Sequence, residues 1–147
     1  MRIPLLLLML ALPLKHLQVT SAFGNRLHPI TLAYRRHEGV DLRANYDTVF
    51  SIFDSRVVAT GYGGALGIFI KIANGPFIIT YGHLSQSFVL QGDSVATNEA
   101  LGVSGATGFV TGPHLHFAVQ FNHRYIDPLV FLKAGFQQII NHKRKSI

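Results

Sequence analysis

Between residues 48 and 127 the chain alternates short apolar runs with turn-forming clusters. The runs are Val49–Phe53, Arg56–Thr60, Ile68–Ile72, Phe77–Tyr81, Ala100–Val103, Leu115–Phe121 and Arg124–Ile126, rich in β-branched and aromatic residues. Turn signals return every ~8–12 residues, and no long stretch of 3.6-residue period precedes residue 128. This pattern predicts an all-β domain, a mostly antiparallel sheet arranged as a sandwich or barrel. Asn74-Gly75-Pro76 separates two of the runs and predicts a hairpin loop. Asp127-Pro128 predicts the start of one short C-terminal helix, running through about Lys133 and stopped by Gly135. Residues 136–147 are then a basic, frayed tail.

The first fourteen residues follow another pattern. Arg2 precedes the apolar run Leu5–Leu12, the form of a signal-peptide n-region and h-region. The run falls short of the ~20 residues that span a bilayer, so no stable membrane span is expected. Pro13-Leu14-Lys15-His16 offers no small-x-small cleavage pattern. Export to the periplasm, envelope or exterior is expected, with residues 1–14 as leader, a mature start near Lys15 and a folded domain over 15–135. The competing expectation is an apolar first segment that packs on the core, with Leu12-Pro13-Leu14 in the first strand.

A length of 147 residues with 48% hydrophobic and 14% charged residues suits one domain with its own core and excludes disorder. The absence of cysteine excludes a disulfide framework, a thiol nucleophile and any cysteine-ligated metal. A formal charge of +6 favours anionic partners. Nucleic acid fits poorly, because the basic residues are scattered and no aromatic–basic stacking pattern recurs. Histidine is the unusual count: eight, against seven carboxylates.

Three places concentrate that chemistry. In His114-Leu115-His116-Phe117-Ala118-Val119-Gln120-Phe121, strand alternation puts His114, His116, Ala118 and Gln120 on one face and four apolar residues on the other. Two imidazoles two positions apart can reach one ion or its water; equally, they can be incidental on a polar face. In His37-Glu38-Gly39-Val40-Asp41, a nitrogen and an oxygen ligand of the kind zinc accepts flank Gly39, which permits a tight turn. From Val40 onward Val40 and Leu42 point inward and Asp41 and Arg43 outward. A helical His-Glu-x-x-His reading of this segment fails on Gly39 and Val40, poor helix-interior residues. In Tyr81-Gly82-His83-Leu84-Ser85, His83 ends a strand and enters a loop.

Together, His37-x-x-x-Asp41, Tyr81-Gly82-His83-Leu84-Ser85 and Gly112-Pro113-His114-Leu115-His116-Phe117 resemble peptidase family M23, the LytM/lysostaphin-type endopeptidases. Thr20–Pro29 resembles the family's opening segment, Gly102–Gly108 its glycine-rich run, and Ile126-Asp127-Pro128-Leu129 its closing turn. The resemblance covers about residues 13–134. It implies a zinc cofactor held by His37, Asp41 and His116, with His83 and His114 as the catalytic pair beside it. It implies an antiparallel β fold with a long groove, working as a monomer on the stem or cross-bridge peptides of peptidoglycan. Where relatives carry a tyrosine nine positions before the first metal histidine, this chain has His28, which either donates to substrate or braces its own loop. Arg26 and Arg43 either bind carboxylate or are solvated surface; His16, His123 and His142 fit no motif. Leu32, Asp47, Ser55 and Asn98 stand where relatives favour glycine. Some family members are non-catalytic activators of other wall hydrolases. All five site positions are filled here, which favours an enzyme.

Overall fold

The computed structural model describes residues 9–28 and 30–146. Its strands are β1 (Val19–Ser21), β2 (Gly24–Leu27), β3 (Tyr34–His37), β4 (Val40–Leu42), β5 (Thr48–Phe50), β6 (Ser55–Gly63), β7 (Gly67–Asn74), β8 (Phe77–Ser87), β9 (Ser94–Val95), β10 (Ala100–Ser104), β11 (Leu115–Phe121) and β12 (Arg124–Ile126). One helix follows, α1 (Pro128–Lys145). Every strand pairing is antiparallel. The expected all-β architecture is present as a 10-stranded sheet whose main path runs β1-β4-β11-β8-β7-β6-β9. Strand β8 pairs with β11 and β7 along its first part, and its end pairs with β10, which carries β5. A separate two-stranded sheet, β2-β3, stands beside it.

Alternation explains the core. On β4 and β11, Val40, Leu42, Leu115, Phe117 and Val119 are fully buried, and Ile70, Ile72, Ile79 and Tyr81 join them from β7 and β8. Each such side chain contributes about 1.5–3 kcal/mol relative to exposure. The loop between β7 and β8 is the two-residue turn Gly75-Pro76, as the sequence predicts. Of the four positions where relatives favour glycine, Leu32 and Asn98 do adopt left-handed backbone, at φ 54° and 65°.

Two expectations need correction. The helix does not stop at Gly135 but runs to Lys145, through residues expected to fray. Asp127 caps it by accepting from the Leu129 N–H at 2.9 Å, and His142, Lys143, Arg144 and Lys145 in the last turn complement the helix dipole. Phe131 and Leu132 are buried in the core, and Phe136 extends the apolar stripe beyond the glycine. Gly135 serves a contact rather than a cap: a Cβ there would lie 2.7 Å from Leu10 Cδ2. The second correction concerns the β8 segment. His83 lies inside the strand, which continues to Ser87.

The N-terminal segment, as far as it is described, is part of this body. Leu14 is 3% exposed, Leu10 packs against the core, and the Ala11 and Phe50 amides bond to the Ile52 and Pro13 carbonyls. These residues belong to no strand, so Leu12-Pro13-Leu14 packs on the core without entering the sheet. The first half of the apolar run of the expected leader, Leu5–Leu8, lies outside the described residues. Among the described residues, no helix is long and apolar enough to cross a membrane.

Candidate active site

Strand β11 lies between β4 and β8, and its register sets His116 opposite Asp41 on one side and Gly82 on the other. Because Leu115 and Phe117 face the core, His116 and Asp41 must share the opposite face. His37, at the end of β3, reaches the same spot across Glu38-Gly39. Gly39 is needed for space rather than for a left-handed turn. Its φ is not positive, and a Cβ on it would lie 2.6 Å from the Phe117 carbonyl oxygen and 2.8 Å from His116 Cε1.

His37 Nε2, Asp41 Oδ1 and His116 Nδ1 all lie within 4.8 Å of one another. Oδ1 is 3.1 Å from His37 Nε2 and 3.0 Å from His116 Nδ1, and the two nitrogens are 3.2 Å apart. His37 Nδ1 is 2.9 Å from the Ala22 carbonyl, which only accepts, so Nδ1 is the donor. In a neutral His37 ring, Nε2 is then a lone pair aimed at a carboxylate oxygen. A divalent cation removes that conflict, and two imidazoles with one carboxylate are a donor set zinc accepts. These residues therefore fit zinc. Burial acts to raise the Asp41 pKa, but hydrogen bonds and charge from His116 and His37 outweigh it and hold the carboxyl far below its ordinary range.

His83 and His114 complete the cluster from the other side, their ring centroids 4.7 Å apart. The β7–β8 register shifts between Ile68 and Ile70, and the β8–β10 register shifts beside it. Tyr81 and Leu84 are both fully buried, a spacing of three that strict alternation forbids. The irregularity turns His83, at φ 60°, out of the sheet face and into the site. Its amide donates to the Leu66 carbonyl at 2.7 Å, and its Nδ1 donates to the Thr107 carbonyl at 2.9 Å. His114 Nδ1 donates to the Gly112 carbonyl at 2.9 Å. Both rings thus keep Nε2 free of these carbonyls, and His114 Nε2 lies 3.7 Å from Asp41 Oδ1. Burial first, then the neighbouring His114, pushes the His83 pKa down to about 4.

Sequence reasoning passed over Thr107 as a site residue. Its hydroxyl donates to the Leu84 carbonyl at 2.6 Å and accepts from the Ile68 N–H at 2.9 Å, so it ties both edges of the bulge while its carbonyl holds His83. The signal was a threonine inside Gly105–Gly108, but a backbone carbonyl acceptor leaves no mark on sequence.

These groups open into a groove of about 720 Å³. His28 lines it, with Nδ1 accepting from the Ile30 and Thr31 amides and its ring stacked 5.7 Å from Phe109. It braces its own loop. Arg26, Arg35 and Arg43 also line the groove. His16, His123 and His142 stay outside: His123 supplies, with Asn122, the positive-φ turn between β11 and β12, and His142 sits in the last turn of α1.

The sequence profile of peptidase family M23 matches residues 35–128, a span that holds all five clustered residues. The chain belongs to peptidase family M23. Among relatives, the peptidoglycan DD-endopeptidase ShyA of Vibrio cholerae is 36% identical over 133 residues, which cover 88% of this chain and 30% of that protein. A zinc-containing peptidase from Vibrio cholerae superposes with a TM-score of 0.70 at 34% identity, over 75% of this chain and 35% of the other. The catalytic domain of lysostaphin from Staphylococcus simulans gives a TM-score of 0.72 at 30% identity, over 80% and 92%. The chain spans about a quarter to a third of the length of the curated M23 relatives it matches.

Proposed function

We propose that this chain is a zinc-dependent endopeptidase that hydrolyses peptide bonds in the stem or cross-bridge peptides of peptidoglycan, exported and working as a monomer. The reading rests on one observation: Asp41 Oδ1, His37 Nε2 and His116 Nδ1 converge at 3.0–3.2 Å on the face that His83 and His114 close. His37, Asp41 and His116 would hold the metal. When bound, zinc supplies Lewis acidity toward the scissile carbonyl and toward water. His83 and His114 supply proton transfer. Each has Nδ1 committed to a carbonyl, so the Nε2 lone pair of the neutral ring accepts a proton from water, and a protonated Nε2 returns one to the leaving amine. Fixed acceptors on the loop behind them keep both rings aimed at one point, which spares the reaction an ordering cost. Similarity to a peptidoglycan DD-endopeptidase supports the substrate class, and the basic charge of the chain suits an anionic envelope. Zinc-loaded protein should release peptide fragments from purified peptidoglycan, and chelation should abolish release until zinc returns. Stoichiometric zinc with no turnover of any muropeptide would turn the reading to a binding or regulatory domain.

A further inference from the structure

The two oxygens of Asp41 have unlike neighbours. Oδ1 faces three imidazoles, His116 at 3.0 Å, His37 at 3.1 Å and His114 at 3.7 Å. Oδ2 faces the Arg26 guanidinium, with Nη2 3.6 Å away, an ion-pair distance just beyond hydrogen-bond length. Strand alternation aims Arg26 there. On β2, Gly24 and Arg26 are partly buried while Asn25 and Leu27 are exposed, so Arg26 looks the same way as Gly24. Gly24 stands opposite His37 in the β2-β3 pairing, which sets Arg26 diagonally beside that histidine on the face that meets Asp41. Arg26 also stands directly opposite Arg35, a like-charge pairing that a separate two-stranded sheet tolerates poorly, and the Asp41 carboxylate offsets it. The Asp41 backbone has little freedom. It pairs with β11 at His116 and with β1 at Ser21, and the Thr20 hydroxyl donates to its carbonyl at 3.2 Å. The motion left to the carboxylate is rotation about Cβ–Cγ, which would bring Oδ2 toward the point where His37, Asp41 and His116 converge.

We propose that Arg26 is a positioning residue that holds Oδ2 out of the metal site, so that Asp41 offers zinc one oxygen and the fourth position stays open. The proposal rests on the zinc reading above and goes beyond it: His37, Asp41 and His116 set which residues bind, and Arg26 sets how many of their atoms do. A hydrolytic zinc needs three protein donors and one open position, which a second Asp41 oxygen would fill. The guanidinium gives Oδ2 a charged partner outside the cluster, in competition with the ion. Removing that charge also removes a repulsion on a dication, so a variant without it should hold metal no more weakly.

Cobalt(II) in place of zinc reads the coordination number, because its visible bands are strong in a four-coordinate site and weaken as the number rises. Wild type should give strong bands. Arg26→Gln should weaken them and bind zinc as tightly as wild type, or more tightly, in competition with a chelator. On cross-linked muropeptides it should lose about tenfold in kcat with KM unchanged. Arg26→Lys, which keeps the charge, should keep strong bands and most of kcat. Weak bands in wild type, or unchanged bands in Arg26→Gln, overturn the proposal. So does a loss of zinc affinity by about 10–100-fold in Arg26→Gln, the mark of a residue that merely supports a ligand. An Arg26→Gln chain that does not fold overturns it as well, since Arg26 then serves the fold. If no muropeptide is cleaved, the peptidase reading fails separately; the expected spectra and affinities would still support the role of Arg26, and their absence would still refute it.

Discussion

On one side of the groove Asp41 and His116 stand opposite each other in an unbroken three-residue ladder between β4 and β11. On the other side His83 occupies a register shift at φ 60°, and His114 is held by a lone bridge to Gly105. The ladder side takes its geometry from the core beneath it, because Val40, Leu42, Leu115 and Phe117 fix which way the alternate residues point. The bulged side has no such guarantee. A non-glycine residue at positive φ costs about 1–3 kcal/mol and persists only when its surroundings over-determine it. Here the surroundings are the Leu66 and Thr107 carbonyls. Metal binding and proton transfer should therefore be separable by mutation.

The sharpest break in that comparison is a pair of substitutions. Asp41→Ala should lose both zinc and activity, since it removes the oxygen that both neighbouring imidazoles face. His83→Ala should keep zinc and fold yet lose activity by about 10²-fold or more. Elemental analysis beside muropeptide digestion reads both, and a His83→Ala protein as active as wild type would break the division of labour. A smaller effect is expected at Thr107→Val, which keeps shape and deletes both hydroxyl bonds at the bulge. Activity should drop by about tenfold with zinc content unchanged, as for loss of a group that orients a catalytic side chain. Loss of zinc instead would show that the two sides are mechanically one. The smallest effect is on stability. In metal-free protein His83 titrates near 4 against an ordinary 6.5, so the unfolded chain binds more protons between these values. Stability then rises with pH across that window and is lost on acidification through it, while Asp41, also depressed, adds its loss only at lower pH. Thermal melts between pH 4 and 7 should show this slope, and His83→Gln should flatten it.

The division also tracks what sequence could carry. The runs at Ala100–Val103, Leu115–Phe121 and Arg124–Ile126 fall on β10, β11 and β12, and period two puts Asp41 and His116 each opposite the core residues of its own strand, while the pairing of β4 with β11 that unites them has no sequence mark. The bulge at His83 was legible only as Tyr81 and Leu84, two core residues spaced by three, beside a glycine that admits the ring of His116 across the ladder. A Cβ on Gly82 would lie 2.9 Å from Leu66 Cδ2 and 3.3 Å from His116 Cβ. Gly135 misled because glycine ends helices far more often than it receives a leucine from another segment. Composition also does not separate a discarded apolar leader from a segment that lends Leu14 to the core. The role of Thr107 was silent because its carbonyl, common to every residue, does the holding.

The Thr107 segment touches the turn before β7 so closely that side chains are excluded on both. A Cβ on Gly67 would collide with the Thr107 backbone, and one on Gly108 with the Gly67 amide, while Phe109 N–H bonds to the Ala65 carbonyl at 3.0 Å. Two loops far apart in sequence are thereby one kinematic body, and neither can swing as a lid without dragging the other and the imidazole it carries. On the opposite bank the β2-β3 ribbon is paired only with itself and exposes Leu27 and Tyr34 to solvent. The groove thus has one wall clamped by interlocked backbone beside His83 and one wall whose two strands have no further strand to lean on.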